Sequence, residues 1–159
     1  MQIDLYVIGK VKEPYLRDGI AEYLKRLSGF CTLKIVEFSE ERIKESPSAH
    51  EIARACQQEG KNLLKAAGQA EYLIALDPRG VQISSERFAD QFRRWEIEGP
   101  HRIAIIIGGP HGLSDEVRDR SDQLLSLSSM IFPHQLVRLI LLEQVYRVFT
   151  IIRGLPYHR

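Results

Sequence analysis

The sequence predicts an α/β domain with a five-stranded, mostly parallel sheet and helices on both faces. Three observations carry that expectation. Short apolar runs alternate with longer segments of helical periodicity. Residues 103–107 are apolar without a break, the pattern of a strand covered on both faces. The 159 residues show no internal repeat and no linker-like stretch, so 1–159 reads as one domain, long enough to bury a core.

The elements follow in order. Residues 3–8 form an apolar strand. Pro14 suits the first turn of a helix, and Leu16, Ile20, Leu24 and Leu27 recur at helical spacing. A strand is expected at 33–38, then a polar, proline-broken loop at 39–48. Residues 50–67 read as a helix in which Gly60 costs about 1 kcal/mol relative to alanine. A strand at 72–76 runs into Asp77-Pro78-Arg79-Gly80, a turn with proline second and glycine fourth. Ser84 or Ser85 caps a helix that buries Phe88, Phe92 and Trp95. After the 103–107 strand, Ser114 with Asp115 and Glu116 starts a short helix. Residues 124–127 are a short strand and 135–152 the last helix.

Composition excludes several classes. No window reaches membrane-spanning length without charge; the richest, 136–152, contains Arg138, Glu143, Gln144 and Arg147. The first ten residues lack a signal-peptide pattern and read as a strand. Cys31 and Cys56 stand apart from each other and from any Cys/His cluster, so we expect two reduced thiols, a cytoplasmic protein and no metal site. The net charge is only +1, but residues 133–159 hold Arg138, Arg147, Arg153 and Arg159 against Glu143 alone. Arg147 can pair with Glu143 four residues earlier. The other three are expected to meet a phosphate-bearing partner.

The last helix is apolar round most of its circumference, from Leu136 to Ile152. One buried face requires a stripe, not a sleeve. A homodimer interface is the expected use of the second face.

Three motifs carry chemistry. Gly108-Gly109-Pro110-His111-Gly112 joins a buried strand to a helix and reads either as a ligand loop or as a tight turn. It matches neither the dinucleotide nor the P-loop pattern, so a ligand without phosphates fits better. Leu127-Ser128-Ser129-Met130-Ile131-Phe132 can offer an apolar slot beside it. Tyr157-His158-Arg159 combines a stacking ring, a proton acceptor and a phosphate fork. Lying at the end of the chain, these three are expected to serve function and not stability. His134 can cap the last helix or touch substrate.

GGPHGL, SLSSMIFPHQLVR, the helix bearing Glu143 and Tyr146-Arg147, and the final YHR, in that order, resemble the SPOUT-class knotted methyltransferases over the whole chain. The nearest resemblance is to those that methylate N3 of a pseudouridine in 23S rRNA. The resemblance implies S-adenosylmethionine as cofactor, held by Leu76, Gly108, Leu127, Ser128, Ser129, Met130, Ile131 and Phe132. It also implies a C-terminal trefoil knot, a dimer through the last helix, and the assembled ribosome as substrate. His158 is then the candidate base or proton relay, with Tyr157 and Arg159 orienting the RNA base and phosphate. Arg138, Arg153 and Arg159 are the expected RNA contacts. A non-catalytic dimeric RNA- or ribosome-binding protein is the rival reading; a phosphate-cofactor enzyme is a third.

Overall fold

The computed structural model describes residues 1–158, without the His158 side chain. Five strands, β1 (Gln2–Ile8), β2 (Thr32–Phe38), β3 (Tyr72–Val81), β4 (Arg102–Ile107) and β5 (Gln123–Leu125), pair in the order β2-β1-β4-β3-β5. Every ladder is parallel. Five helices connect or follow them: α1 (Pro14–Leu27), α2 (Ala49–Ala66), α3 (Ser85–Glu98), α4 (Asp115–Arg120) and α5 (His134–Ile152).

Strand alternation sorts the core into two layers. Ile3, Leu5 and Val7 of β1, with Ile103, Ile105 and Ile107 of β4, face α1, α3 and α5. Tyr6, Ile8, Ala104 and Ile106 face α2 and α4. Helix starts follow local chemistry. Ser48 and Glu51 form a reciprocal capping box at α2, Ser84 caps α3, and Ser114 caps α4.

Two strands differ from expectation. β3 does not stop at Leu76. Leu76 and Val81 both lie opposite Leu125, so the expected turn at 77–80 is a bulge within one strand. β5 ends at Leu125, two residues early, because Ser126 turns its hydroxyl onto the Ser128 carbonyl at 3.0 Å. Gly60 is explained by packing. A Cβ there would lie 2.5 Å from Ser114 Oγ and 3.0 Å from Val117 Cγ2, so α4 sits directly on α2.

The apolar sleeve of α5 is mostly consumed within the chain. Leu141, Leu142, Val145, Val148 and Phe149 are buried against α1, α3 and the sheet. The opposite stripe, Leu136, Ile140, Glu143 and Arg147, is half-buried, and only its first two members are apolar.

Candidate active site

The ends of β3, β4 and β5 converge on one cavity of about 600 Å³. After β3 the chain enters α3 on one face of the sheet; after β4 it enters α4 on the other. Diverging connections open a crevice at the carboxyl ends of parallel strands, the usual ligand position in such sheets. Leu76, Gly108, Leu127, Ser128, Met130, Ile131 and Phe132 all line it, as do Asp77, Pro110, His134 and Val137. Ser129, from the same expected set, is not part of the wall. The 126–130 loop keeps its shape through its own hydroxyls: the Met130 amide donates to Ser128 Oγ at 3.0 Å.

The glycine loop closes on itself. The Gly112 amide donates to the Gly109 carbonyl at 3.0 Å, and Gly112 has φ +84°, a backbone that favours glycine. A Cβ on Gly108 would lie 2.8 Å from the Gly112 carbonyl oxygen. Bareness at Gly108 is therefore required first by the loop's own closure, so a larger residue there tests folding before ligand binding. The Cys56 thiol, from α2, lies 3.7 Å from the carbonyls of His111 and Gly112 and backs the loop.

Asp77 is buried in the cavity wall. It accepts from Arg118 Nε of α4 at 2.6 Å and from the Arg79 amide at 2.8 Å. This pair fixes the β3 bulge against α4. Sequence reasoning missed Arg118, whose partner lies 41 residues away.

His134 opens α5 without capping it. Its buried Nε2 has no hydrogen-bond partner among the described residues and lies 3.7 Å from Glu40 Oε1. Burial lowers its pKa; Glu40 opposes this and Arg138 adds to it. The neutral ring is a proton acceptor at the cavity edge.

Arg138, expected to touch RNA, does not face solvent: it is 1% exposed. Its Nη2 donates to the Ile8 and Gly9 carbonyls at 2.8 Å each, and its Nη1 to Glu37 at 3.0 Å. These bonds satisfy the end of β1 and anchor the first turns of α5. The basic segment is therefore less available than its composition implies. Arg147 pairs with Glu143, and exposed Arg153 forks onto Glu96 of α3 at 2.8 and 3.2 Å.

Tyr157 is not idle in the fold. Its hydroxyl lies 2.9 Å from that of Tyr23 and donates to Glu143 at 3.2 Å; its ring packs on Tyr146 and under Arg147. Burial and these partners raise its pKa, so the phenol stays protonated. The expectation that the tail contributes nothing to stability is corrected for this residue. The side chain of His158, and Arg159 altogether, lie outside the described residues. Glu143 lies six residues along α5 from Val137, the last α5 residue in the cavity wall, about 9 Å at the helical rise, and Tyr157 is not part of that wall.

Among the described residues no Lys or Arg lines the cavity, and Asp77 is its one acid. Its volume falls within the range of about 300–1,000 Å³ typical of small-molecule sites. A phosphorylated cofactor would find no cation there. A ligand with an apolar ring, a positive centre and no phosphate matches the walls. Among the described residues no cluster of three or more His, Cys, Asp or Glu could hold a metal, and no helix is long and apolar enough to cross a membrane.

The fold and this cavity together define a methyltransferase of the SPOUT class. A family model described as Predicted SPOUT methyltransferase matches residues 1–158, and the chain belongs to that family. At the level of individual relatives, it is 48% identical over 160 residues to the ribosomal RNA large subunit methyltransferase H of Heliobacterium modesticaldum, covering 100% of this chain and 99% of that one. It is 46% identical to the protein of the same name from Carboxydothermus hydrogenoformans, with both chains fully covered. Among solved structures, a methylase family protein of Haemophilus influenzae superimposes with a TM-score of 0.57 at 15% identity, over 96% of this chain and 68% of that one. A methyltransferase of Legionella pneumophila, solved with bound SAM, gives 0.51 at 15% identity, over 94% and 66%. These two show the fold alone.

Proposed function

We propose that this protein methylates large-subunit ribosomal RNA at N3 of a pseudouridine, using S-adenosylmethionine, with the assembled ribosome as substrate. The observation that carries the reading is the cavity. It is walled by the glycine loop and the 126–133 loop, is mostly apolar, and has no cation in its lining among the described residues. The full-length likeness to relatives named for large-subunit RNA methylation supports the substrate class.

When bound, S-adenosylmethionine supplies an electrophilic methyl group on a sulfonium. Leu76, Leu127, Met130, Ile131 and Phe132 provide apolar walls for its rings, and Gly108 with Ser128 brings backbone close to their edges; Ser129 acts through the loop's shape. A wall that excludes water and fixes orientation contributes much of the rate in such a transfer. The receiving nitrogen carries a proton flanked by two carbonyls, and it must lose that proton. His158 accepts it, while Tyr157 and Arg159 orient base and phosphate. Arg159, and Arg153 by exchanging Glu96 for a phosphate, contact RNA. No metal takes part, and the protein works in the cytoplasm beside ribosomes.

The protein acts as a homodimer through α5. Leu136 and Ile140 are half-buried, Ile140 shares a cleft with Leu127 and Phe132 of the cavity wall, and Met130 and Ile131 of that wall are 74% and 91% exposed, so apolar surface at α5 and at the cavity rim is available to a second chain. A second chain covering it would also bring a partner's tail towards the cavity, whose wall does not include the chain's own Tyr157. The C-terminal trefoil knot that the resemblance implies belongs to the reading; α5, which would take part in it, packs against α1 and α3. Calorimetric titration with S-adenosylmethionine tests the cavity: micromolar binding is expected, and absent binding would favour the non-catalytic RNA-binding reading. Sedimentation tests the dimer; a stable monomer at micromolar concentration refutes it.

A further inference from the structure

Among the described residues, Arg138, Arg147 and Arg153 are each engaged in an ion pair, so an RNA partner has use for another positive surface. Helix α2 carries one. Besides Ala49, His50 and Ala53, its solvent-facing positions hold Arg54, Gln57, Gln58, Lys61, Asn62 and Lys65: three cations, three amides and no acid. The two acids of the helix are used elsewhere. Glu51 closes the capping box and pairs with Lys44; Glu59 turns inward and accepts the Glu41 amide at 2.9 Å. No carboxylate pairs with Arg54, Lys61 or Lys65 among the described residues. Arg42, across a cleft of about 610 Å³, is also unpaired; Glu41 is the one acid in that cleft without a cation.

This face adjoins the active site. The cleft shares Glu41, Ile43, Lys44 and Ala55 with a smaller one, lined also by Pro110 and His111 of the glycine loop and by Glu40, Glu45 and Glu59, whose carboxylates leave α2's outer face, not this cleft, as the place for phosphates. Pro110 in turn lines the cofactor cavity. Helix, loop and cavity thus lie in sequence along one side of the sheet.

We infer that the exposed face of α2, through Arg54, Lys61 and Lys65, holds the sugar–phosphate backbone of the RNA whose base enters the neighbouring cavity. The inference rests on the RNA-methylation reading and specifies which surface carries the substrate. Cations spaced by one and two helical turns match a run of phosphates. The interleaved amides can bond to ribose hydroxyls and base edges. All the side chains are exposed, so replacing them leaves the core intact.

The test compares wild type, a triple variant (Arg54→Gln, Lys61→Gln, Lys65→Gln) and a control removing equal charge from the other face (Lys25→Gln, Arg87→Gln, Arg94→Gln). The affinity of each for a short single-stranded RNA is measured by fluorescence anisotropy from 50 to 200 mM salt. Three lost phosphate contacts should flatten the log–log slope by about 2, so wild type should lose affinity about 18-fold more than the triple variant over that range. The control should keep the wild-type slope. A triple variant with the wild-type slope, or a control that flattens equally, overturns the inference. Methylation of unmodified ribosomes is run in parallel. If wild type transfers no methyl group, the functional reading fails, while the RNA slopes still decide the role of this face. Unchanged S-adenosylmethionine binding and melting in the triple variant exclude misfolding as the cause.

Discussion

Replacing Arg138 with methionine separates a structural arginine from an RNA contact. The two side chains have similar length, so the change removes polar partners and leaves little cavity. The Ile8 and Gly9 carbonyls each lose a 2.8 Å bond inside the protein. A buried acceptor left unpaired costs about 1–2 kcal/mol. Glu37 loses a partner too, but it is 39% exposed and recovers water, so that loss is about 0.5 kcal/mol. Against these, the variant no longer buries a guanidinium whose Nε is itself unpartnered, a relief of about 1 kcal/mol. The net loss is about 2–3 kcal/mol. At this chain length that lowers the melting temperature by about 5–10 °C. Urea unfolding should show a lower midpoint at unchanged slope, and RNA affinity measured on the folded protein should keep its salt dependence. If stability is unchanged while the salt slope falls, Arg138 faces RNA and the account of α5's anchoring is wrong.

Three further outcomes follow from the geometry. Gly60→Ala should destabilise by about 1–2 kcal/mol, because overpacking against Ser114 outweighs a helix-propensity gain of about 1 kcal/mol; a higher melting temperature in calorimetry would refute this. Burial holds the folded-state pKa of His134 below the ordinary value of 6.5, so its contribution is fully present above pH 6.5 and is lost as pH falls through the folded value. Glu59, whose pKa burial raises, works in the opposite direction, so His134→Gln should lose less stability than wild type between pH 7 and 5; parallel curves would remove His134 as the cause. Tyr157→Phe should cost about 1 kcal/mol through its bonds to Tyr23 and Glu143, whereas His158→Ala should leave melting unchanged and slow single-turnover methylation; a His158 variant with wild-type rate moves the search for the base to His134.

The strands were legible because apolar runs flanked by breakers have few alternatives, and the cavity because its three walls are contiguous motifs. What escaped depended on partners distant in sequence. Asp77 and Arg118 meet only because α4 packs beside β3. Gly60 looked like a defect until α4 lay on it. Arg138 was misread from charge alone, although its apolar neighbours Val137, Leu139, Leu141 and Leu142 place it in a buried stretch. Tyr157 was misread from its position near the end of the chain; its partners sit on α1 and α5, 134 and 14 residues away.

The central claim is tested most directly by incubating the protein with methyl-labelled S-adenosylmethionine and ribosomes from cells lacking this modification, then digesting the large-subunit RNA to nucleosides for mass spectrometry. The account predicts one labelled nucleoside, a pseudouridine methylated at N3. Label on another nucleoside, or none despite cofactor binding, would contradict it.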